Sequence, residues 1–88
     1  MTATDRILEA GYDDVVVFDN YSYDSALIGV TTDNRAVYDF DGMVQWLVET
    51  EDMTPEEAVD WIEYNTIRSL PYVGDAGPII VYRLPQEP

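Results

Sequence analysis

Apolar and polar positions along the chain divide it into short segments separated by clear turn signals. Thr4 followed by residues 5–10 and Gly11 predicts a short helix, with Thr4 as cap, Asp5 near the positive end of the dipole and Gly11 as the stop. Residues 15–18, Val-Val-Val-Phe, are a continuous β-branched run that reads as a buried strand, and Asp19, Asn20 and Ser22 mark a loop after it. Two more strands are expected at residues 26–31 and 35–40. Between them Thr32, Asp33 and Asn34 form a hairpin turn in which Asn34 can adopt positive φ.

The second half has helical periodicity. Asp41 is suited to cap a helix whose apolar residues Met43, Val44, Trp46, Leu47 and Val48 fall largely on one face, ending near Thr50. Thr54-Pro55-Glu56-Glu57 combines a cap, proline at the first helical position and glutamate three residues after the cap, a strong helix start. That helix is expected over residues 55–69, with Ala58, Val59, Trp61, Ile62 and Thr66 toward a core. Pro71 and the 74–78 segment, Gly-Asp-Ala-Gly-Pro, should end it and form a loop. Residues 79–84 read as a last strand and residues 85–88 as a flexible tail. This order predicts one α+β domain over residues 1–84: a mostly antiparallel sheet of three to four strands, covered on one face by two helices, after a short N-terminal helix.

Composition narrows the chemistry. Of 88 residues, 47% are hydrophobic and 12% aromatic, so a folded domain is expected despite a net charge of −14. The chain has no Lys, His or Cys. Nucleophilic triads, Cys/His pairs, redox CxxC motifs, ordinary zinc sites, Schiff-base amines and phosphate-loop lysines are all excluded. Carboxylates alone could in principle form an acid/base pair or a magnesium site, but the strong negative field would repel a nucleic-acid substrate. We expect no enzyme, no catalytic residue, no metal and no cofactor. Asp39-Phe40-Asp41-Gly42 begins like a calcium loop yet lacks the remaining spaced ligands and the distal glutamate, so Asp39 or Asp41 is read as a helix cap. Trp46 and Trp61 lie within patterned helices and are expected in the core.

Charge then points to a class of partner. A domain of this length should have a radius of gyration of roughly 12 Å. Spread over the corresponding diameter, the net charge approaches one per ~2 Å, near the one per ~1.7 Å of duplex DNA. Such a field disfavours nucleic acid and anionic membrane as direct partners and attracts basic protein surfaces, although acidity also serves solubility alone. With no run of 18 apolar residues and an acidic N-terminal segment, a cytoplasmic location is expected.

Half the net charge sits between residues 49 and 63, which contain Glu49, Glu51, Asp52, Glu56, Glu57, Asp60 and Glu63 and no base. Glu56, Asp60 and Glu63 have i, i+4, i+7 spacing, which in an α-helix forms a ladder of carboxylates on one face. Like charges so placed cost an isolated helix about 0.2–0.5 kcal/mol per pair. A solvated helix face competes with a binding role for this ladder. The candidate partner-binding residues are Glu49, Glu51, Asp52, Glu56, Asp60 and Glu63. A secondary candidate is Asn65, Arg68 and Tyr72, whose simpler role is to fix a helix exit against the final strand.

Four segments carry a resemblance to known proteins: Tyr23-Asp-Ser-Ala-Leu-Ile-Gly-Val30; Val37-Tyr-Asp-Phe-Asp41; Glu63-Tyr-Asn-Thr-Ile-Arg68 with Leu70-Pro-Tyr72; and Pro78-Ile-Ile-Val-Tyr82. Through them the chain resembles a family of small acidic proteins of bacteriophages, prophages and their bacterial hosts. The resemblance implies no activity, cofactor or catalytic residue. It implies a phage-linked context, in which small acidic proteins often inhibit host defence, anti-CRISPR proteins among them. The expected function is therefore an inhibitor in the host bacterial cytosol. It would present its acidic helix to the nucleic-acid groove of a defence nuclease such as a CRISPR nuclease. The alternative is a non-inhibitory binding or assembly module that uses an apolar patch of Tyr and Trp.

Overall fold

A computed structural model describes residues 2–19 and 21–84; the expected 85–88 tail lies outside the described residues. The first helix, α1, runs Ala3–Glu9. Its cap is Thr2, not Thr4: the Thr2 hydroxyl accepts from the Asp5 N–H at 3.1 Å while the Asp5 carboxylate accepts from the Thr2 N–H at 3.3 Å. This reciprocal box needs an acid three residues after the cap, which Thr2 has and Thr4 lacks. Gly11 follows at φ 97, the left-handed conformation that favours glycine.

The expected strand at residues 15–18 does not form. The segment is neither strand nor helix, although Val15, Val17 and Phe18 pack against the core. High β propensity produces a strand only where a partner edge is available. A 3-10 turn, Asp24–Ala26, then leads into the hairpin of β1, Leu27–Val30, and β2, Ala36–Asp39. The pair is antiparallel with an irregularity between Leu27 and Gly29, and Asn34 turns at φ 65 as the pattern predicts.

Helix α2 runs Phe40–Glu51, and of the two aspartates read as caps it is Asp39 that caps it, while Asp41 lies in the first turn. Asp39 Oδ2 accepts from the Gly42 N–H at 3.2 Å, so strand β2 passes directly into the helix. Met43 and Leu47 are fully buried, and Val44, Trp46 and Val48 pack beside them. Asp52 closes α2 in a left-handed conformation at φ 58, its N–H returning to the Leu47 carbonyl. Helix α3, Pro55–Trp61, starts at the Thr54 capping box as expected.

Beyond Trp61 the structure departs from a plain α-helix to Ser69. A π-helical stretch covers Ile62–Ile67 and passes into α4, Arg68–Val73, so Pro71 sits inside a helix instead of ending one. Gly74, at φ 94, makes the stop. The last strand, β3, is Ile79–Val81.

The sheet order is β1-β2-β3, and β3 pairs with β2 in parallel, Val37 opposite Ile79 and Asp39 opposite Val81. The expected mostly antiparallel sheet is thus a three-stranded mixed sheet. A parallel neighbour requires a long crossover, and α2, α3, the π turn and α4 form it. Helix α2 packs on β2 while α3 packs on α2. The whole is a small α+β domain with a radius of gyration of 13.0 Å. Among the described residues no helix is long and apolar enough to cross a membrane.

Tyr23 and Tyr38 are the largest side chains of the core. Phe18, Tyr21, Tyr23 and Trp46 form a chain of aromatic contacts at centroid distances of 5.5–6.5 Å, and Trp61 joins through Tyr21 at 5.2 Å. Both tryptophans remain partly buried at the edge of this cluster.

Candidate functional site

All six candidate acids, Glu49, Glu51, Asp52, Glu56, Asp60 and Glu63, are exposed. They fall into three groups. Glu49 and Glu51 are at the end of α2 with Asp52 as its cap; Glu56 and Asp60 are on α3; Glu63 is in the π-helical stretch. Glu56 and Asp60 line one shallow groove with Pro55 and Val59. Asp60 also borders an open cleft of about 350 Å³ with Met53, Glu57, Trp61, Tyr64 and Asn65. Glu63, in the π-helical stretch, lines neither.

Glu57, counted among the acids but outside the six candidates, and Tyr64 are neighbours of Asp60 in this cleft. Their signal was present as i, i+3, i+7 spacing through 57, 60 and 64. The Glu57 carboxylate is held at the helix start: it accepts from the Thr54 N–H at 2.9 Å while its own N–H donates to the Thr54 hydroxyl at 3.2 Å. The Thr54 N–H, and after it the Thr54 hydroxyl, lower the carboxyl pKa from the ordinary value of 4.5.

The four arginines are engaged elsewhere. Arg6 donates to the Asp24 carbonyl at 2.9 Å, and Arg35 Nε to the Gly77 carbonyl at 2.9 Å. Arg83 Nε is 3.5 Å from Asp39 Oδ2, the one ion pair among the described residues. Arg68 lies 6.0 Å from the centre of the Tyr64 ring. The carboxylates of residues 49–63 are therefore without an ion-pair partner among the described residues.

The secondary candidate is only partly assembled. Asn65 bonds back to the Trp61 carbonyl at 3.2 Å. Arg68 is at the junction between the π stretch and α4, not at a helix exit, and Tyr72 is 91% exposed, so it does not fix the helix against the final strand.

Asp39 is buried, and its Oδ1 makes no hydrogen bond among the described residues. Its Oδ2 caps α2 and faces Arg83, which assigns it a structural role. No group of three or more acidic side chains among the described residues is placed to hold a metal ion.

In comparisons with known proteins, no family model, no curated protein and no solved structure matches the chain.

Proposed function

We propose that this protein is a phage-associated inhibitor, acting in the bacterial cytoplasm, that presents the acidic surface of residues 49–63 to the basic nucleic-acid groove of a host defence nuclease. An anti-CRISPR protein that occupies the target-DNA site is one such case. The observation that carries this reading is the disposition of charge: every arginine is engaged outside the stretch, so seven carboxylates between Glu49 and Glu63 face solvent unneutralised. The resemblance to small acidic phage proteins adds the context. Complementary charge would raise the association rate and make binding fall as salt rises.

The test uses a purified CRISPR nuclease and two orders of addition. A DNA mimic blocks cleavage when added before target DNA and much less when added after, because lysines and arginines already neutralised by phosphate attract carboxylates weakly. Replacing Glu56, Asp60 and Glu63 together with Gln, Asn and Gln should leave the fold intact and weaken inhibition at least about tenfold, using roughly 0.5 kcal/mol or more per charge. Equal inhibition in both orders, with a ternary complex of nuclease, DNA and this protein, would reject mimicry.

A second reading has its own support. Tyr64 is 65% and Tyr72 is 91% exposed, both on the helical crossover. A binding module using these rings would hold its partner with little change between low and high salt.

A further inference from the structure

Residues 15–18 have the composition of a strand, yet no strand among the described residues pairs with them. Val15 and Val17 are partly buried against the core while Val16 is 39% exposed, the in–out–in alternation of an extended chain. Among the described residues, the Phe18 N–H is the only backbone group of this segment in a hydrogen bond, donating to the Tyr38 hydroxyl at 3.2 Å. The remaining amides and carbonyls have no partner among the described residues and are open to water or to a docked chain.

Beside this segment runs a cleft of about 480 Å³. Val16, Val17 and Phe18 form one wall; Trp61, Ser69 and Val73 are on the other. No cation lines it. Asp13 and Asp14 precede the segment and Asp19 follows it, all exposed.

We infer that residues 15–18 are a docking edge for an extended segment of a partner protein in which basic and apolar residues alternate. The partner backbone would add a strand to the unpaired edge. Its apolar side chains would enter the cleft between Val16 and Val73, and its basic ones would meet Asp13, Asp14 and Asp19. Charge selects this occupant over a second copy of the chain. An antiparallel pair of copies would bring Asp19 of each against Asp13 and Asp14 of the other, and a parallel pair would align like with like. Both place acid against acid. The inference rests on backbone and cleft atoms and does not require the acidic helix to bind anything.

The full-length protein, titrated with a peptide of alternating Lys and Val, tests it. Amide resonances of residues 15–17 should shift, and the Val15 and Val17 N–H groups, which face the edge opposite to the engaged Phe18 N–H, should become protected from hydrogen exchange. Two versions of the peptide, N-methylated on one or the other set of alternate amides, keep the charge and side chains but lose ladder donors from one edge. One of them should bind roughly tenfold or more weakly, as expected for losing two or more hydrogen bonds. Equal binding by both methylated versions would overturn the inference, as would no binding at all or shifts confined to residues 49–63. Protection of residues 15–17 that rises with protein concentration in the absence of peptide would assign the edge to a second copy and overturn it too.

Discussion

Tyr23 combines a left-handed backbone, φ 49, with a side chain wholly removed from solvent. For a bulky residue that conformation costs about 1–3 kcal/mol and persists only where surrounding contacts hold it. Here they are the rings of Phe18, Tyr21 and Trp46, and a 2.7 Å hydrogen bond between the Tyr23 and Thr66 hydroxyls. Tyr23→Phe keeps the ring and leaves the Thr66 hydroxyl without this partner, so we expect a loss of about 1–2 kcal/mol in urea unfolding. Burial raises the Tyr23 pKa above its ordinary 10.0, countered in part by the Thr66 hydroxyl and then by the Trp61 indole N–H, which approaches without good hydrogen-bond geometry. Burial likewise raises Tyr38, countered by the Phe18 N–H. Up to about pH 9 both tyrosines are neutral in the folded and unfolded chains. Above it the unfolded chain ionises first, so stability should hold to about pH 9 and fall from about pH 10 through the higher folded values. Melting temperatures across that range check this, and an unchanged profile in Tyr23→Phe/Tyr38→Phe would assign the alkaline loss to other groups. At this scale the sequence misled by two residues at the α1 cap and left the α2 cap open between Asp39 and Asp41. Thr2 and Asp39 were as legible as Thr4 and Asp41, but choosing between them requires knowing which carboxylate or N–H comes within reach.

Among the elements, the β1–β2 hairpin and the start of α3 were legible because their signals are local: Asn34 at positive φ, and Thr54 with Pro55 and Glu57. Residues 15–18 and the direction of β3 were not, since each depends on what lies beside it in space. The π stretch was also hidden. In the candidate site, the acidic run could be found by counting and the neighbourhood of Asp60 with Glu57 and Tyr64 by helical spacing, whereas which acids share a groove, Glu56 and Asp60 without Glu63, could not. The contact between α2 and the 24–26 turn offers a test of packing. A Cβ built on Gly42 would lie 3.1 Å from Ala26 Cβ, 3.2 Å from Ala26 Cα and 3.3 Å from Asp39 Oδ2. Gly42→Ala gains up to about 1 kcal/mol of helix propensity, but crowding backbone typically costs about 1–3 kcal/mol. We expect net destabilisation of about 1 kcal/mol by chemical denaturation. Gly29→Ala, with nothing within 4 Å of its Cβ, should change stability little.

At the scale of the whole molecule, 14 net negative charges occupy a body of 38 × 35 × 24 Å. Self-repulsion disfavours the compact state and is screened over a Debye length of ~10 Å at 0.1 M salt. The melting temperature should therefore rise as sodium chloride increases from low to physiological levels. A fall would show that the Arg83–Asp39 pair and other local attractions outweigh the repulsion. The class α+β was readable from the order of segments, but the mixed sheet was not, because nothing in residues 79–81 distinguishes a parallel from an antiparallel edge.

That parallel pairing also orders events in time. Strands β1 and β2 meet across a short turn and can close early, whereas β3 meets β2 only after the entire crossover has been made and has folded back. On the ribosome, the outer edge of Val37, Tyr38 and Asp39 stays open until residues 79–81 emerge. During that interval, the sheet is most exposed to pairing with the wrong chain.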